Sequence, residues 1–183
     1  MKMHLERNMM NITEIDKDHI EMDAFRIRVL TEEPDLQMKH WVHNDSWKRI
    51  PRDVLALWYE DEIIGISGER KYKNGYVRVG SPQYLFRENR NTHRNSLLKP
   101  GGFMQHHIER HGGIFFSVHL YCPRMVANAE NFYKRRVKQW GEELLYVDDI
   151  KWLGHHIFHG VEQAIFSLYI DDTDHLLDTI LAE

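Results

Sequence analysis

The segment 84–122 constrains this chain most, because it reads in one run as strand, polar loop, glycine-opened helix and strand. Tyr84, Leu85 and Phe86 end an extended stretch. Residues 87–95 contain no apolar side chain able to hold a core position, which predicts a loop. At Lys99-Pro100-Gly101-Gly102-Phe103-Met104 the pattern turns helical. Proline is pre-organised for a first helical position, where its missing N–H would be unpaired anyway. Phe103, Met104, His107, Ile108 and His111 follow at helical spacing. Gly112-Gly113 is expected to stop that helix by supplying positive φ. The run 114–122, Ile-Phe-Phe-Ser-Val-His-Leu-Tyr-Cys, is too apolar and too rich in β-branched and aromatic residues for a surface strand, so a central strand is expected.

Strand, helix and parallel strand make a βαβ unit, with the helix N-terminus at the carboxyl end of the first strand. The strands 84–86 and 114–121 are the expected parallel neighbours. A helix N-terminus presents N–H groups and the positive end of the helix dipole, and glycines let an anion such as phosphate approach the backbone. Gly-Gly also serves simply as a tight turn into a helix, and the pair alone does not separate the two readings.

The chain has 183 residues, 42% of them hydrophobic, enough for one domain with a sizeable core and no evident linker. A net charge of -4 gives no general case for nucleic acid as partner. No apolar run approaches transmembrane length, and Met1-Lys2-Met3-His4-Leu5-Glu6-Arg7 lacks the apolar segment of a signal peptide. No membrane association and a cytoplasmic location are therefore expected. A single cysteine, Cys122, excludes an internal disulfide framework and a multi-cysteine zinc site.

Taken in order, residues 1–11 are polar and Met-rich and expected to be poorly ordered, and 12–20 reads as a strand. A helix is expected over 22–30, ended by Thr31-Glu32-Glu33-Pro34, and a second over 35–47. Residues 54–59 and 63–70 read as an antiparallel hairpin across an acidic turn. Asn74-Gly75 signals another hairpin turn, leading into a strand over 77–86 with Pro82 marking a bulge or an edge. Residues 125–140 form an amphipathic helix pattern, 143–147 and 163–170 read as strands around a His-rich segment, and 171–183 is a capped helical tail.

This order resembles the fold of the GNAT N-acetyltransferases, over roughly residues 12–170. It implies an α/β domain over residues 1–183: a mixed, mostly antiparallel sheet flanked by helices, with a central splayed parallel strand pair and acyl-CoA between the splayed strands. Three places carry the likeness. Tyr59-Glu60-Asp61-Glu62-Ile63-Ile64-Gly65 is similar to the family's hairpin, and Ala129-Glu130-Asn131-Phe132-Tyr133 to its late helix. Lys99-Pro100-Gly101-Gly102 stands where the family has its pyrophosphate loop, though Met104 replaces a small residue there.

The resemblance implies an acyl-CoA-dependent N-acyltransferase, with acetyl-CoA as donor and a small-molecule or peptide amine as acceptor, working as monomer or homodimer. Lys99 and the N–H groups of Gly101, Gly102 and Phe103 are the candidates for pyrophosphate, with Arg94 in the same basic segment. A backbone N–H around Phe86 or Arg87 would polarise the thioester carbonyl. Asn128 and Asn131 are placed to reach the pantetheine, although Asn near a helix start also serves as a cap. Tyr133 is the candidate acid for the departing thiolate, and Glu88, then Glu69, the candidate base for the ammonium proton.

Two other readings stand beside this one. The chain has thirteen histidines. His107 and His111 are one helical turn apart, His155 and His159 share that separation, and with His119 they are candidate ligands for zinc or another transition metal. The basic residues Arg87, Arg90, His93, Arg94 and Lys99, with Arg135, Arg136 and Lys138, would also suit a noncatalytic binding module on the same scaffold. Cys122 precedes Pro123 at a strand end and reads as a small buried hydrophobe rather than a nucleophile.

Overall fold

The computed structural model describes residues 10–16, 18–32, 53–80, 83–84, 101–120 and 146–183. Its elements run β1 (Met10–Asp16), α1 (Ile20–Glu32), β2 (Asp53–Tyr59), β3 (Glu62–Ser67), β4 (Glu69–Lys71), β5 (Val77–Val79), β6 (Gln83–Tyr84), α2 (Phe103–His111), β7 (Ile114–His119), β8 (Lys151–Phe158), β9 (Val161–Leu168) and α3 (Thr173–Leu181). The chain divides into two compact units. The helices expected over 35–47 and 125–140 lie outside the described residues.

The first unit is built on an antiparallel sheet of order β1-β2-β3-β6. Strand β1 begins earlier than expected and stops at Asp16 for a local reason. The Asp16 carboxylate accepts the Asp18 N–H at 2.9 Å and its carbonyl accepts the His19 N–H at 3.0 Å. That turn uses the polar groups a longer strand would need, so residue 20 opens α1 instead of closing β1.

Met22, Phe25 and Val29 of α1, spaced by three and four, are buried, while Ile27 on the opposite side is 55% exposed. They join Val54, Leu55, Leu57, Ile63, Ile64, Ile66 and Phe103 in one hydrophobic cluster. Strand β3 is buried at every position after Glu62, as a strand covered on both faces must be. The β2–β3 turn spans Glu60 and Asp61, with Tyr59 opposite Glu62 and Glu60 at φ 53. A register shift between Leu57 and Trp58 bends that pair at a place the sequence did not signal.

The second unit carries a five-stranded sheet of order β4-β5-β7-β9-β8. One pairing in it is parallel, β5 with β7, with Arg78 opposite Phe115. Among the described residues the parallel partner of β7 is therefore the beginning of the run 77–86, whereas Tyr84, expected in that role, pairs elsewhere. Gln83 and Tyr84 pair antiparallel with Ile66 and Gly65 of β3, and Leu85 and Phe86 lie outside the described residues. Pro82, with no N–H to give a ladder, stands in sequence between the two parts.

Asn74 and Gly75, at φ 60 and 78, make the expected turn into β5, with Tyr72 N–H donating to the Tyr76 carbonyl at 2.7 Å. The His-rich segment expected to lie between strands is itself strand β8, paired antiparallel with β9. Its turn is His159-Gly160, both at positive φ (51 and 77), between Phe158 and its partner Val161. Two left-handed residues match the twist of a two-residue hairpin, and a His-Gly pair is a less familiar way to build one than Asn-Gly. Of the strand expected over 143–147, Tyr146 is left-handed at φ 64 and Val147 starts a short 3-10 turn.

Helix α3 is capped as the sequence predicts. The Asp172 carboxylate accepts the His175 N–H at 3.0 Å, and Leu176 and Ile180 are fully buried. They pack with Tyr72, Phe115, Phe158, Ile165 and Ile170. Asp172→Ala is expected to cost about 1 kcal/mol, read as a lower urea midpoint at unchanged m-value. No helix among the described residues is long and apolar enough to cross a membrane.

Candidate functional site

The expected anion site begins at Gly101 and Gly102. Gly101 is exposed at φ +75, and a Cβ built there would meet nothing within 4 Å. The space beside this backbone is thus open to a ligand atom, and the conformation suits glycine. Gly102 is buried, and helix α2 starts at Phe103 as the sequence predicts. The first N–H groups of any helix have no partner within it, so Phe103 and Met104 present donors at the end where the dipole is positive.

The far end of α2 is closed by Gly112, at φ +75, whose N–H donates to the Ile108 carbonyl at 2.7 Å. The two glycines expected to share that task divide it. Gly112 alone is left-handed. Gly113 has instead a close neighbour, since a Cβ on it would lie 2.7 Å from the Tyr169 carbonyl oxygen.

Of the other residues singled out, Glu69 opens β4 and is partly buried. Phe86, Arg87, Glu88, Arg94, Lys99, Asn128, Asn131 and Tyr133 lie outside the described residues. So does Cys122.

His107 and His111 both lie on helix α2, one turn apart as expected, but His155 and His159 do not share that geometry. His107 is fully buried on α2. His155 lies on strand β8 and His159 in the turn after it, so their separation is not a helical turn, and four residues of extended chain cover roughly 13 Å. The His159 Nε2 lies 2.6 Å from the Tyr72 hydroxyl, and the His156 Nε2 lies 2.8 Å from the Leu153 carbonyl oxygen. Burial, then the positive charge of Arg78, holds the His119 pKa below its usual 6.5. Burial, then Arg70 and Arg78, does the same to His159 against an opposing pull from Glu183. Guanidinium charge beside two imidazoles disfavours a dication there. Among the described residues no three His, Cys, Asp or Glu side chains gather where an ion could be held.

The sequence reading missed the polar network around Arg78. Its Nη2 donates to the Ser117 hydroxyl at 2.8 Å, Ser117 donates to the Gln163 Oε1 at 2.6 Å, and the Gln163 Nε2 donates to the Phe158 carbonyl at 2.7 Å. These residues lie on four strands, and no spacing links them.

No family model matches the sequence, and no curated protein matches it. Solved structures do. A presumed N-acetyltransferase from Lactobacillus plantarum aligns with 88% of this chain and 99% of its own, at a TM-score of 0.50 and 12% identity. A GNAT-family acetyltransferase from Streptococcus agalactiae aligns with 88% of this chain and 96% of its own, at 0.48 and 9%. An acetyltransferase from Bacillus subtilis in complex with CoA aligns with 88% and 99%, at 0.46 and 9%. At such identities the likeness is one of fold. The mixed α/β architecture expected from the order of elements, with its parallel pair inside a mostly antiparallel sheet, is the fold of the first of these proteins.

Proposed function

We propose that this chain, which has the fold of an N-acetyltransferase, is an acyl-CoA-dependent N-acyltransferase. The observation that carries the reading is the parallel β5–β7 pair with α2 between them in the chain, entered through Gly101-Gly102. The helix start supports the reading, because a helix N-terminus favours an anion such as pyrophosphate and a Cβ on Gly101 would meet nothing within 4 Å.

In this reading the amine nitrogen attacks the thioester carbonyl carbon, the C–S bond breaks, and the acyl group passes to nitrogen. The amine must lose a proton and the thiolate gains one. Glu88 or Glu69 is proposed to take the first, and Tyr133 to give the second. Lys99 with the N–H groups of Gly101, Gly102 and Phe103 would hold the pyrophosphate, with Arg94 nearby in sequence. The N–H of Phe86 or Arg87 would polarise the carbonyl, and Asn128 and Asn131 would contact the pantetheine. We take acetyl-CoA as the donor, an amine on a small molecule or peptide as the acceptor, and the cytoplasm as the location.

Thermal denaturation of metal-stripped protein with acetyl-CoA, CoA or zinc tests the reading. CoA species at a hundredfold excess over their dissociation constant are expected to add about 2.7 kcal/mol of stability. Gly102→Glu, which places a carboxylate where the anion would bind, is expected to abolish that gain while retaining the parent circular dichroism spectrum. Stabilisation by zinc alone, or by none of the three, would overturn it.

A further inference from the structure

In the second unit, two guanidinium groups sit over neighbouring aromatic rings. Arg70 lies 5.0 Å above the Tyr72 ring and Arg78 4.9 Å above the Phe158 ring, and those rings are 6.0 Å apart. His159 completes the platform, 4.3 Å from the Phe158 ring centroid.

The Arg78 side chain is fixed as well as placed. Its Nη2 donates to Ser117 at 2.8 Å and, more weakly, to Gln163 at 3.5 Å, and both acceptors are buried. Every link of that chain is neutral. Among the described residues no carboxylate forms an ion pair with Arg70 or Arg78. The Glu183 carboxylate charge acts on His159 against the arginines, and its Oε1 accepts the Lys73 N–H at 3.2 Å. A guanidinium has five N–H donors in a planar fork suited to two oxygens of one anion, and Nη2 accounts for the bonds Arg78 makes among the described residues. Two like charges that both act on His159, with no ion-paired carboxylate among the described residues, favour an anion beside them.

We propose that Arg78, held by Ser117 and Gln163 and flanked by Arg70 and His159, binds the oxyanion group of a carboxylate- or phosphate-bearing ligand. This goes beyond the acyl-transfer reading, since none of these residues was assigned there to CoA or to proton transfer. Burial is the main cause of the lowered His119 and His159 pKa values, with Arg78 acting on both and Arg70 on His159 as well, so both imidazoles lie within reach of this positive charge.

The test follows the ring resonances of His119 and His159 by NMR during titration with sodium acetate, inorganic phosphate or, at matched ionic strength, sodium chloride. A bound anion offsets the guanidinium charge, so both histidines should gain a proton more readily and their pKa values should rise saturably towards 6.5. A response to phosphate alone or to acetate alone identifies the ligand class. Arg78→Met keeps the apolar stem and should weaken binding at least about tenfold. Arg70 is exposed, so Arg70→Met provides a variant whose folding is not at issue, and it should weaken binding too. An equal response to chloride, no saturable response, or parental binding by Arg70→Met would overturn the proposal.

Discussion

Phe103→Ala is expected to lower the stability of the protein by about 3–5 kcal/mol. Phe103 is fully buried and belongs to the cluster of Phe25, Leu57, Ile64 and Ile66. Truncation removes the buried ring and leaves a cavity that neighbours in a close-packed core fill only in part. Alanine is the better helix former, so the loss belongs to packing and not to helix propensity. Ile27→Ala is the matched control, because that side chain is 55% exposed and its replacement should stay within about 0.5 kcal/mol. Chemical denaturation reads both. Equal effects at the two positions would remove Phe103 from the core.

Gly113→Ala is expected to cost about 3 kcal/mol, more than Gly112→Ala beside it. The added methyl would meet the Tyr169 carbonyl oxygen at 2.7 Å, the Ile170 Cγ1 at 2.8 Å and the Tyr169 carbonyl carbon at 3.2 Å. Two of those atoms are backbone, which cannot move aside without displacing the segment between β9 and α3. At Gly112 nothing lies within 4 Å, so an alanine there bears only the strain of φ +75, about 1 kcal/mol. Melting temperatures of the two variants check the order, and a larger loss at Gly112 would contradict it.

These glycines show how far a sequence can be read. Helix α2 was legible because its information is local: apolar residues at helical spacing, glycines before and after. The C-terminal stop was legible too, but not that one glycine turns the chain while the other yields to a strand end far along the sequence. The Asn74-Gly75 turn and the Asp172 cap were readable for the same local reason. Strand β8 was not, since Lys151–Phe158 mixes lysine, glycine and histidines with apolar residues and its turn is His-Gly.

Of the candidate site, the sequence placed the glycine-opened helix start, and the structure has it. It paired histidines by a helical spacing that β8 does not have. It passed over Arg78, Ser117 and Gln163, because their association depends on which strands lie side by side. The sequence by itself determined the elements bounded by caps, turns and apolar periodicity, each decided within a few residues. Only the tertiary structure decided that β7 takes its parallel partner from Val77–Val79, that Gly113 faces Tyr169, and that two arginines share one aromatic platform. Those depend on strand order and register, which join residues far apart in the chain.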